Sequence, residues 1–390
     1  MNDKNIVIAG GGFGGLKVLK TLSRYKNKIK DYQIILIDKK EYFEFIPMIP
    51  DVLAGWLSPD SIQTSFTDLE KQINFKYIQG NINKLDLVSQ TISINNENIN
   101  YHYLVLATGV DSNFFGNQNA RINCFRLKTV QDTLAIQQEI INKKSELNPV
   151  NIVIVGGGYT GLEAATNAKL FTEHRNIKCK ITIVEVADKI LQMVPESLRS
   201  QAKEILKELD IEIKTENSLE TYDGDKVLLR SGAELSNAVC IWTVGTKTPD
   251  YIQDLDLEKN KGRIIVEQNL TPANAEYKNV FAIGDTAYCM DPETGASLRM
   301  AIQFSINQGF VAGKNIISSI KGKNLNNYNP LDLGYLIPLA YGAAPGYVLG
   351  VKVGPRIGFL LHYLMCIARA SWQKKFAILQ EILSKRPKLV

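Results

Sequence analysis

Two segments of this chain share one pattern, and that pattern limits the possible fold more than any other feature. Residues 5–22 read NIVIAGGGFGGLKVLKTL, and residues 151–168 read NIVIVGGGYTGLEAATNA. Each begins with a short apolar run typical of a buried parallel strand, continues into G-x-G-x-x-G and ends in a helical pattern. This order, found twice, predicts an α/β fold with two Rossmann-like dinucleotide-binding domains.

The three glycines of each motif have separate physical roles. They are Gly10, Gly12 and Gly15 in the first copy and Gly156, Gly158 and Gly161 in the second. The first glycine permits a tight turn, the second lets the backbone approach a pyrophosphate, and the third lets the helix pack closely on the strand. The N–H groups at the start of the following helix favour phosphate binding. We therefore expect one dinucleotide at each motif.

An acidic residue at the end of the next strand extends the pattern. The run QIILID ends in Asp38, and the run ITIVE ends in Glu185. An acid in this position bonds the ribose hydroxyls, although both residues are also compatible with plain surface acids at strand ends. The carboxylate of Glu185 disfavours the 2′-phosphate of NADP, since no arginine takes its place. Two dinucleotides in one chain indicate electron transfer between them.

Two further apolar runs complete the predicted first domain. Residues 103–109 read YLVLATG, and residues 279–285 read NVFAIGD. Each predicts a buried strand, and Asp285 falls at the C-terminal end of the second, where ligands bind in open parallel sheets. Together with the repeats, these runs resemble the flavin domain of two-dinucleotide flavoproteins, in which an aspartate in this position bonds the ribityl chain of the flavin.

On these residues the chain resembles the type II NADH dehydrogenases, which reduce quinone without pumping protons. The resemblance covers nearly the whole chain and includes the aromatic, proline-containing loop after Asp38 and the run LATGVDSNFFG at residues 106–116. It implies FAD bound tightly at the first motif and NADH bound transiently at the second. Hydride would pass from NADH to the flavin, and two electrons would pass on to a membrane quinone, with no metal required.

The resemblance also implies which residues bind the cofactors. Those for FAD are Gly10, Gly12, Phe13, Gly14, Gly15, Asp38, Lys39, Ile82, Ala107, Thr108, Gly109, Gly284, Asp285, Ile302 and Gln303. Those for NADH are Gly156, Gly158, Tyr159, Thr160, Gly161, Glu163, Glu185 and Gly245. Tyr159 stands where this family usually has proline.

Two residues are expected to take part in catalysis, Glu163 and Gln303. Glu163 matches a family glutamate two residues past the last glycine; the alternative is an acid that only stabilises the first turn of its helix. Gln303 matches the first glutamine of a family helix with the pattern Ala-Gln-x-Ala-x-Gln, and Asn307 stands at the second, so both are assigned to quinone. The match is partial, since Ile302 and Ser305 replace the alanines, and the amides are also compatible with a polar pair on an ordinary helix.

The five cysteines and three histidines exclude several chemistries. No two cysteines have the spacing of a metal-binding or dithiol motif, and residues 38–59, where related disulfide reductases carry such a pair, contain none. Sulfide:quinone oxidoreductases need paired reactive cysteines, and none follows the second motif before Cys179. We interpret all five as reduced, small hydrophobic side chains and expect no metal site.

Positive charge is concentrated at the C-terminus. Residues 352–390 contain eight Lys/Arg and one acid, whereas the whole chain has a net charge of +5. The apolar run 357–368 is shorter than the ~20 residues of a spanning helix. Apolar residues recur at helical spacing at Phe359, Leu360, Tyr363, Ile367, Phe376, Leu379, Ile382 and Leu383. An interfacial amphipathic helix pair on anionic lipid is favoured over a buried packing or dimerisation helix, and no nucleic-acid recognition module accompanies the charge.

The predicted organisation has three parts. An FAD domain covers residues 1–115 and 249–323, an NADH domain covers 116–248, and a membrane-anchoring segment covers 324–390. We expect a homodimer bound peripherally at the cytoplasmic face of the cell membrane. Two other functions stay open: a soluble flavoprotein reductase with a protein acceptor, and an NADH-sensing flavoprotein similar to apoptosis-inducing factor. The basic tail favours the membrane quinone, because a soluble reductase has no use for it.

Overall fold

The chain divides into two compact units, each of which contains one glycine motif. The computed structural model describes residues 4–273, 276–370 and 372–384. The first unit comprises Met1–Phe43, Thr64–Asp111 and Thr246–Asp332. The second comprises Glu44–Gln63, Ser112–Gly245 and Leu333–Val390. Residues 324–390, predicted to form one membrane-anchoring segment, are therefore divided between the units, with 333–390 in the second.

Strands and helices alternate around both motifs. The strands of the described residues are β1 (Lys4–Ala9), β2 (Tyr32–Asp38), β3 (Tyr42–Glu44), β4 (Gln63–Ser65), β5 (Lys76–Gln79), β6 (Ile82–Asp86), β7 (Thr91–Ile94), β8 (Glu97–Asn100), β9 (Tyr103–Leu106), β10 (Asp111–Ser112), β11 (Phe125–Arg126), β12 (Val150–Val155), β13 (Cys179–Val184), β14 (Ile211–Lys214), β15 (Leu219–Tyr222), β16 (Val227–Leu229), β17 (Glu234–Leu235), β18 (Ala238–Trp242), β19 (Thr246–Lys247), β20 (Lys259–Asn260), β21 (Arg263–Ile265), β22 (Val280–Ala282), β23 (Ala287–Tyr288), β24 (Gly334–Leu336), β25 (Gly346–Val348) and β26 (Val351–Val353).

The α-helices range from single turns to five turns in length. They are α1 (Phe13–Arg24), α2 (Ile49–Leu53), α3 (Pro59–Ile62), α4 (Phe66–Gln72), α5 (Gln118–Asn123), α6 (Val130–Asn142), α7 (Tyr159–His174), α8 (Glu196–Glu208), α9 (Asp250–Gln253), α10 (Ile302–Ile320), α11 (Pro355–Arg369) and α12 (Trp372–Ser384). Short 3-10 helices lie at Lys26–Lys28, Ile46–Met48 and Gly284–Thr286.

The central sheet of the first unit is wholly parallel, with the strand order β22-β9-β1-β2-β5. The last four residues of β1 are fully buried, as expected when a parallel sheet is covered on both faces. Helix α1 buries Val18, Leu19 and Leu22 and packs along α10. Because the strands are parallel, the first glycine motif, Asp38 and the 3-10 helix at Gly284–Thr286 meet at one edge of the sheet.

The second unit repeats this arrangement with the parallel order β11-β18-β12-β13-β14. Helix α7 follows β12 directly after the second glycine motif and is buried along most of its length, from Gly161 to Thr172. The predicted parallel α/β architecture is confirmed in both units. Each unit adds small antiparallel sheets, β6-β7-β8 in the first and β15-β16-β17 and β24-β25-β26 in the second.

Residues 44–63 belong to the second unit because specific polar contacts hold them there. The Glu44 carboxylate accepts a hydrogen bond from the N–H of Val130 at 3.0 Å. Gln137 Nε2 donates to the carbonyl oxygen of Val52 at 2.7 Å. This segment carries α2 and α3, so both short helices pack within the same unit as α7.

Helices α11 and α12 occupy most of the basic C-terminal segment, residues 352–390. On α11, Ile357, Leu360 and Leu364 are exposed, whereas His362 and Tyr363 are buried. The prediction that Tyr363 shares the lipid-facing side is therefore wrong.

Its ring instead packs against the buried indole of Trp56, with ring centres 5.6 Å apart. No helix among the described residues is both long and apolar enough to cross a bilayer. Residues 385–390, which carry part of the predicted basic charge, lie outside the described residues.

Candidate cofactor and substrate sites

Each glycine motif is hydrogen-bonded to the acid that the sequence pattern predicts. In the first unit, the N–H of Gly11 donates to Asp38 Oδ2 at 2.6 Å. In the second unit, the N–H of Gly157 donates to Glu185 Oε2 at 2.7 Å. The other carboxylate oxygen accepts from the N–H two residues further along, at 2.8 Å and 2.9 Å. The two acids therefore hold equivalent positions at the ends of β2 and β13.

Both carboxylates keep acceptor capacity for a ligand. Burial raises the pKa of Asp38, and the hydrogen bonds from the N–H groups of Lys40 and Gly11 oppose that rise. A carboxylate has about four lone-pair sites, so one bond to each oxygen leaves sites for ribose hydroxyls. Asp38 and Glu185 are both partly exposed, which such a contact requires.

The last glycine of each motif is required by close packing. A Cβ atom at Gly15 or at Gly161 would lie 1.9 Å from the carbonyl oxygen of the first glycine of the same motif. At Gly12 and Gly158, by contrast, a Cβ atom would meet no atom within 4 Å. The middle glycines therefore face open space, as needed where a pyrophosphate approaches the backbone.

The helices after the motifs begin in the way that phosphate binding requires. Gly12 is the N-cap of α1 and Gly158 is the N-cap of α7, and neither makes a side-chain cap hydrogen bond to the N–H groups of the first turn. Phe13 packs edge-to-face on Phe43, with ring centres 5.0 Å apart. Tyr159 packs edge-to-face on a tyrosine ring of strand β24, with ring centres 6.0 Å apart. Dinucleotide phosphates fit both helix starts.

The 3-10 helix around Asp285 is tied to the neighbouring strand ends. Thr286 Oγ1 accepts a hydrogen bond from the N–H of Gly109 at 2.9 Å. Gln308 Oε1 accepts one from the N–H of Gly284 at 2.7 Å. Thr286 and Gln308 therefore position this 3-10 helix, although the sequence analysis assigned neither. Gln308 directly follows the last position of the partial Ala-Gln-x-Ala-x-Gln match. Asp285 itself is half-buried at the C-terminal edge of the sheet.

The other residues predicted for FAD lie in the first unit. Ala107, Thr108 and Gly109 directly follow β9, and Ile82 begins β6. Lys39 is exposed beside Asp111, with 3.4 Å between the charged atoms. In the second unit, Thr160 is exposed on α7, and the Gly245 carbonyl accepts a hydrogen bond at 3.2 Å.

Gln303 and Asn307 differ in their surroundings although they are one helical turn apart on α10. Gln303 is buried, and its Nε2 donates to Asp332 Oδ1 at 3.0 Å. Asp332 also forms an ion pair with Arg299. Asn307 is exposed. The two amides are therefore not hydrogen-bonded into one polar pair.

Glu163 lies on α7, the helix that follows the second glycine motif. It is the fifth residue of α7, beyond the first helical turn, which contains no acid. The prediction that Glu163 lies in the first turn of this helix is therefore wrong. The alternative role, an acid that only stabilises that turn, also loses its basis.

The Glu163 side chain keeps a partly exposed surface but lies deep among protein atoms. Burial raises its pKa to about 8, and the charge of Asp51 contributes. Among the described residues, no side chain or N–H group donates a hydrogen bond to its carboxyl group. Asp51 was missed by the sequence analysis, because a single acid in an aromatic loop carries no pattern of its own.

Comparisons with known proteins identify the family to which this chain is similar. The sequence model of the pyridine nucleotide-disulphide oxidoreductases matches residues 4–309. A type II NADH:quinone oxidoreductase of Staphylococcus aureus is 24% identical over 383 residues, which cover 92% of this chain and 93% of that protein. Another, of Haemophilus influenzae, is 23% identical over 389 residues, covering 88% and 86%.

The solved structure of NDH2 from Plasmodium falciparum in complex with NADH has a similar fold. It superimposes with a TM-score of 0.85 at 18% identity and covers 100% of both chains. Together, the comparisons confirm the resemblance predicted from the sequence.

Proposed function

The chain belongs to the pyridine nucleotide-disulphide oxidoreductase family, and we propose that it is an NADH:quinone oxidoreductase that uses FAD. One observation carries the proposal: a glycine N–H bonded to a strand-end carboxylate occurs twice, from Gly11 to Asp38 and from Gly157 to Glu185. It gives one chain two dinucleotide sites of the same construction. Relatives that match most of the chain are named type II NADH:quinone oxidoreductases.

FAD is assigned to the first unit. Asp38 would hold its ribose hydroxyls, and the free N–H groups at the start of α1 would hold its pyrophosphate beside Gly12. Asp285, at the C-terminal edge of the sheet, would bond the ribityl chain. When bound, FAD supplies the two-electron carrier between NADH and the quinone.

NADH is assigned to the second unit. Glu185 would accept the ribose hydroxyls, and its charge would repel the 2′-phosphate of NADPH. The start of α7 beside Gly158 would bind the pyrophosphate, with Tyr159, Thr160 and Gly245 around it. This assignment predicts a preference for NADH over NADPH.

Quinone reduction is assigned to Gln303, Asn307 and Glu163. Converting a quinone to a quinol takes up two electrons and two protons. Glu163 is suited to provide a proton, since burial raises its pKa to about 8 and keeps it protonated near neutral pH. Gln303 and Asn307 would offer amide groups to the quinone oxygens.

Attachment to the membrane is assigned to α11 and α12. The exposed apolar residues Ile357, Leu360 and Leu364 lie on α11, and α12 adds exposed Phe376 and Leu383. Basic residues accompany them, which favours an anionic lipid surface. The cytoplasmic face of the cell membrane and a homodimer stay predictions.

A triple substitution tests the membrane assignment better than a deletion, because a deletion also removes the buried Tyr363. Replacing Ile357, Leu360 and Leu364 with serine is expected to reduce sedimentation with anionic vesicles severalfold. The matched control replaces Ile122, Leu147 and Met193, which are exposed apolar residues of the same unit. Equal vesicle binding by both triple variants would move the membrane site elsewhere.

The decisive experiment is an assay of the purified protein with NADH or NADPH as donor and a short-chain quinone as acceptor. We expect a yellow protein that releases FAD on denaturation and reduces the quinone faster with NADH. A colourless protein that takes up no flavin would contradict the proposal. Transfer of electrons to a small iron–sulfur protein, but not to quinone, would instead favour a soluble reductase.

A further inference from the structure

The second unit contains another buried carboxyl group, which none of the assigned sites uses. Asp51 lies on α2, is 6% exposed and accepts a hydrogen bond from the Tyr363 hydroxyl of α11. Helix α2 packs directly against α7, the helix that carries Glu163. The charge of Asp51 acts on Glu163. The two acids therefore form an interacting pair of carboxyl groups.

No positive charge compensates this pair. Among the described residues, no lysine, arginine or histidine forms an ion pair with either acid. His362 of α11 directly precedes Tyr363 in the chain, and burial lowers its pKa to about 4, so this ring is neutral at physiological pH. Arg369, further along α11, acts on Cys366 but is exposed, where water screens its charge.

Among the described residues, the groups of α6, β12 and β13 whose contacts with α2 and α7 are established carry no charge. On α6, the group that reaches α2 is the neutral amide of Gln137, which donates to the carbonyl oxygens of Val52 and Leu53. The buried residues of β12 and β13, which pack against α7, are uncharged. On α11, burial raises the pKa of the Cys366 thiol, so this group is neutral as well. Besides burial, Glu163 is therefore affected by the charge of Asp51, and Asp51 by its hydrogen bonds from Tyr363 and from its own N–H group.

Two carboxyl groups in such a place do not both ionise near neutral pH. Burial raises the pKa of Asp51 to about 7 and that of Glu163 to about 8. The hydrogen bond from Tyr363 favours the ionised form of Asp51. No equivalent donor among the described residues serves Glu163. Because Tyr363 stabilises the charge on Asp51 and no donor stabilises it on Glu163, Glu163 keeps its proton to the higher pH of the two acids.

We propose that Asp51, kept ionised by Tyr363, is the positioning residue that holds a proton on Glu163 ready for transfer to the quinone. This inference rests on the proposed function. Forming the quinol takes two electrons and two protons: the hydride of NADH accounts for both electrons and one proton, and Glu163 supplies the other proton. Glu163 is then ionised beside ionised Asp51, and the repulsion between like charges drives its reprotonation from water. Asp51 and Tyr363 lose no proton in this cycle.

Infrared titration of the FAD-bound protein, without quinone, tests the proton's location directly. The carbonyl band of a protonated carboxyl group that disappears near pH 8 in the wild type should be absent in Glu163→Gln, in which only the band of Asp51, disappearing near pH 7, should remain. In Asp51→Asn, the titration of Glu163 should move about one pH unit lower, because the like charge is gone. Tyr363→Phe should move it in the same direction by less, since Asp51 loses the donor that keeps it ionised.

A matched control exists in the same unit. Tyr341 donates a hydrogen bond to Glu173 Oε2 at 2.6 Å, which is the same type of contact as that between Tyr363 and Asp51. Tyr341→Phe should leave the titration of Glu163 unchanged. If Asp51→Asn folds and titrates like the wild type, the inference is overturned. If Asp51→Asn does not fold, an unchanged titration in Tyr363→Phe overturns it instead.

The pH profile of quinone reduction separates this inference from the proposed function. With NADH saturating, the rate should fall above about pH 8 in the wild type. In Asp51→Asn, the fall should begin about one pH unit lower. Absence of quinone reduction by the wild type at every pH would refute the proposed function, whatever the infrared titration shows. Superimposable profiles of active wild type and Asp51→Asn would refute the role of Asp51 alone.

Discussion

The two glycine motifs have the same geometry but differ in the residue two positions after the last glycine. In the first copy this residue is Lys17, whose ammonium group lies 5.5 Å from the ring centre of Phe310. In the second copy it is Glu163, a carboxyl group without a hydrogen-bond donor among the described residues. Strand, turn and acid therefore suffice to build a dinucleotide site, whereas a group suited to proton transfer is present only in the second copy.

This difference has an energetic meaning. A buried carboxyl group without a partner destabilises its charged form, and burial raises the pKa of Glu163 for this reason. Such groups are concentrated at functional sites, because elsewhere a neutral residue is more stable. Under the proposed function, the first copy would bind its ligand without taking part in proton transfer, and the second would do both.

The largest expected effect comes from substituting Glu163, and the same substitution at Lys17 is the control. Glu163→Gln should lower quinone reduction about 100-fold, because it removes the transferable proton and keeps the shape of the side chain. Flavin content should not change, as checked by absorbance. Lys17→Gln, at the equivalent position of the first copy, should change the rate less than about twofold. Similar losses in both variants would remove the functional difference between the copies.

The two strand-end acids should separate cofactor retention from substrate binding. Asp38→Asn is expected to reduce the FAD that stays bound through gel filtration, since Asp38 belongs to the first copy. Glu185→Gln should leave FAD in place and raise the KM for NADH about tenfold, the effect of losing one charge-assisted hydrogen bond. If both variants lose flavin equally, the assignment of one ligand to each copy is wrong.

Donor choice should depend on the second copy alone. The double variant Glu185→Ser with Val186→Arg removes the repelling charge and adds a cation, so the ratio of NADPH to NADH turnover should rise severalfold. Val186 is exposed, so an arginine fits there. Val186→Arg alone serves as the control and should change the ratio less. An unchanged ratio in the double variant would show that Glu185 does not contact the ribose.

The smallest expected effect is on stability. The pKa of Glu163 is raised from 4.5 to about 8 in the folded protein. The folded state therefore binds more protons than the unfolded state between these values, and the free energy of unfolding falls as the pH rises through this range. Glu163→Gln should lack this fall, so its melting temperature should exceed that of the wild type by about 3 °C at high pH. The same difference at acidic pH would contradict the raised pKa.

Most of the first copy of the strand–glycine–helix pattern could be predicted from the sequence, and so could the glycine-rich turn of the second copy. The strands, the glycines, Asp38 and Glu185 all lie where the pattern indicates. Strand, turn and helix are continuous in the chain here, and the last glycine of each motif is required by its contact with the first glycine of the same motif. The same local information gave no sign that Gln308 is buried and bonds the N–H of Gly284 while Asn307 is exposed. Both amides fit the same helix, and only the packing around it distinguishes them.

The sequence alone determined the two dinucleotide sites, because their geometry depends on residues within one βαβ unit. Tertiary structure alone decided which distant residues adjoin Glu163. The hydrogen bond from Tyr363 to Asp51 joins positions 312 residues apart, and the one from Ser58 to Glu381 joins positions 323 residues apart. Such contacts depend on which helix faces are buried together, and no local period in the sequence encodes that choice. The raised pKa of Glu163 has the same origin, since it comes from burial among segments brought together only by folding.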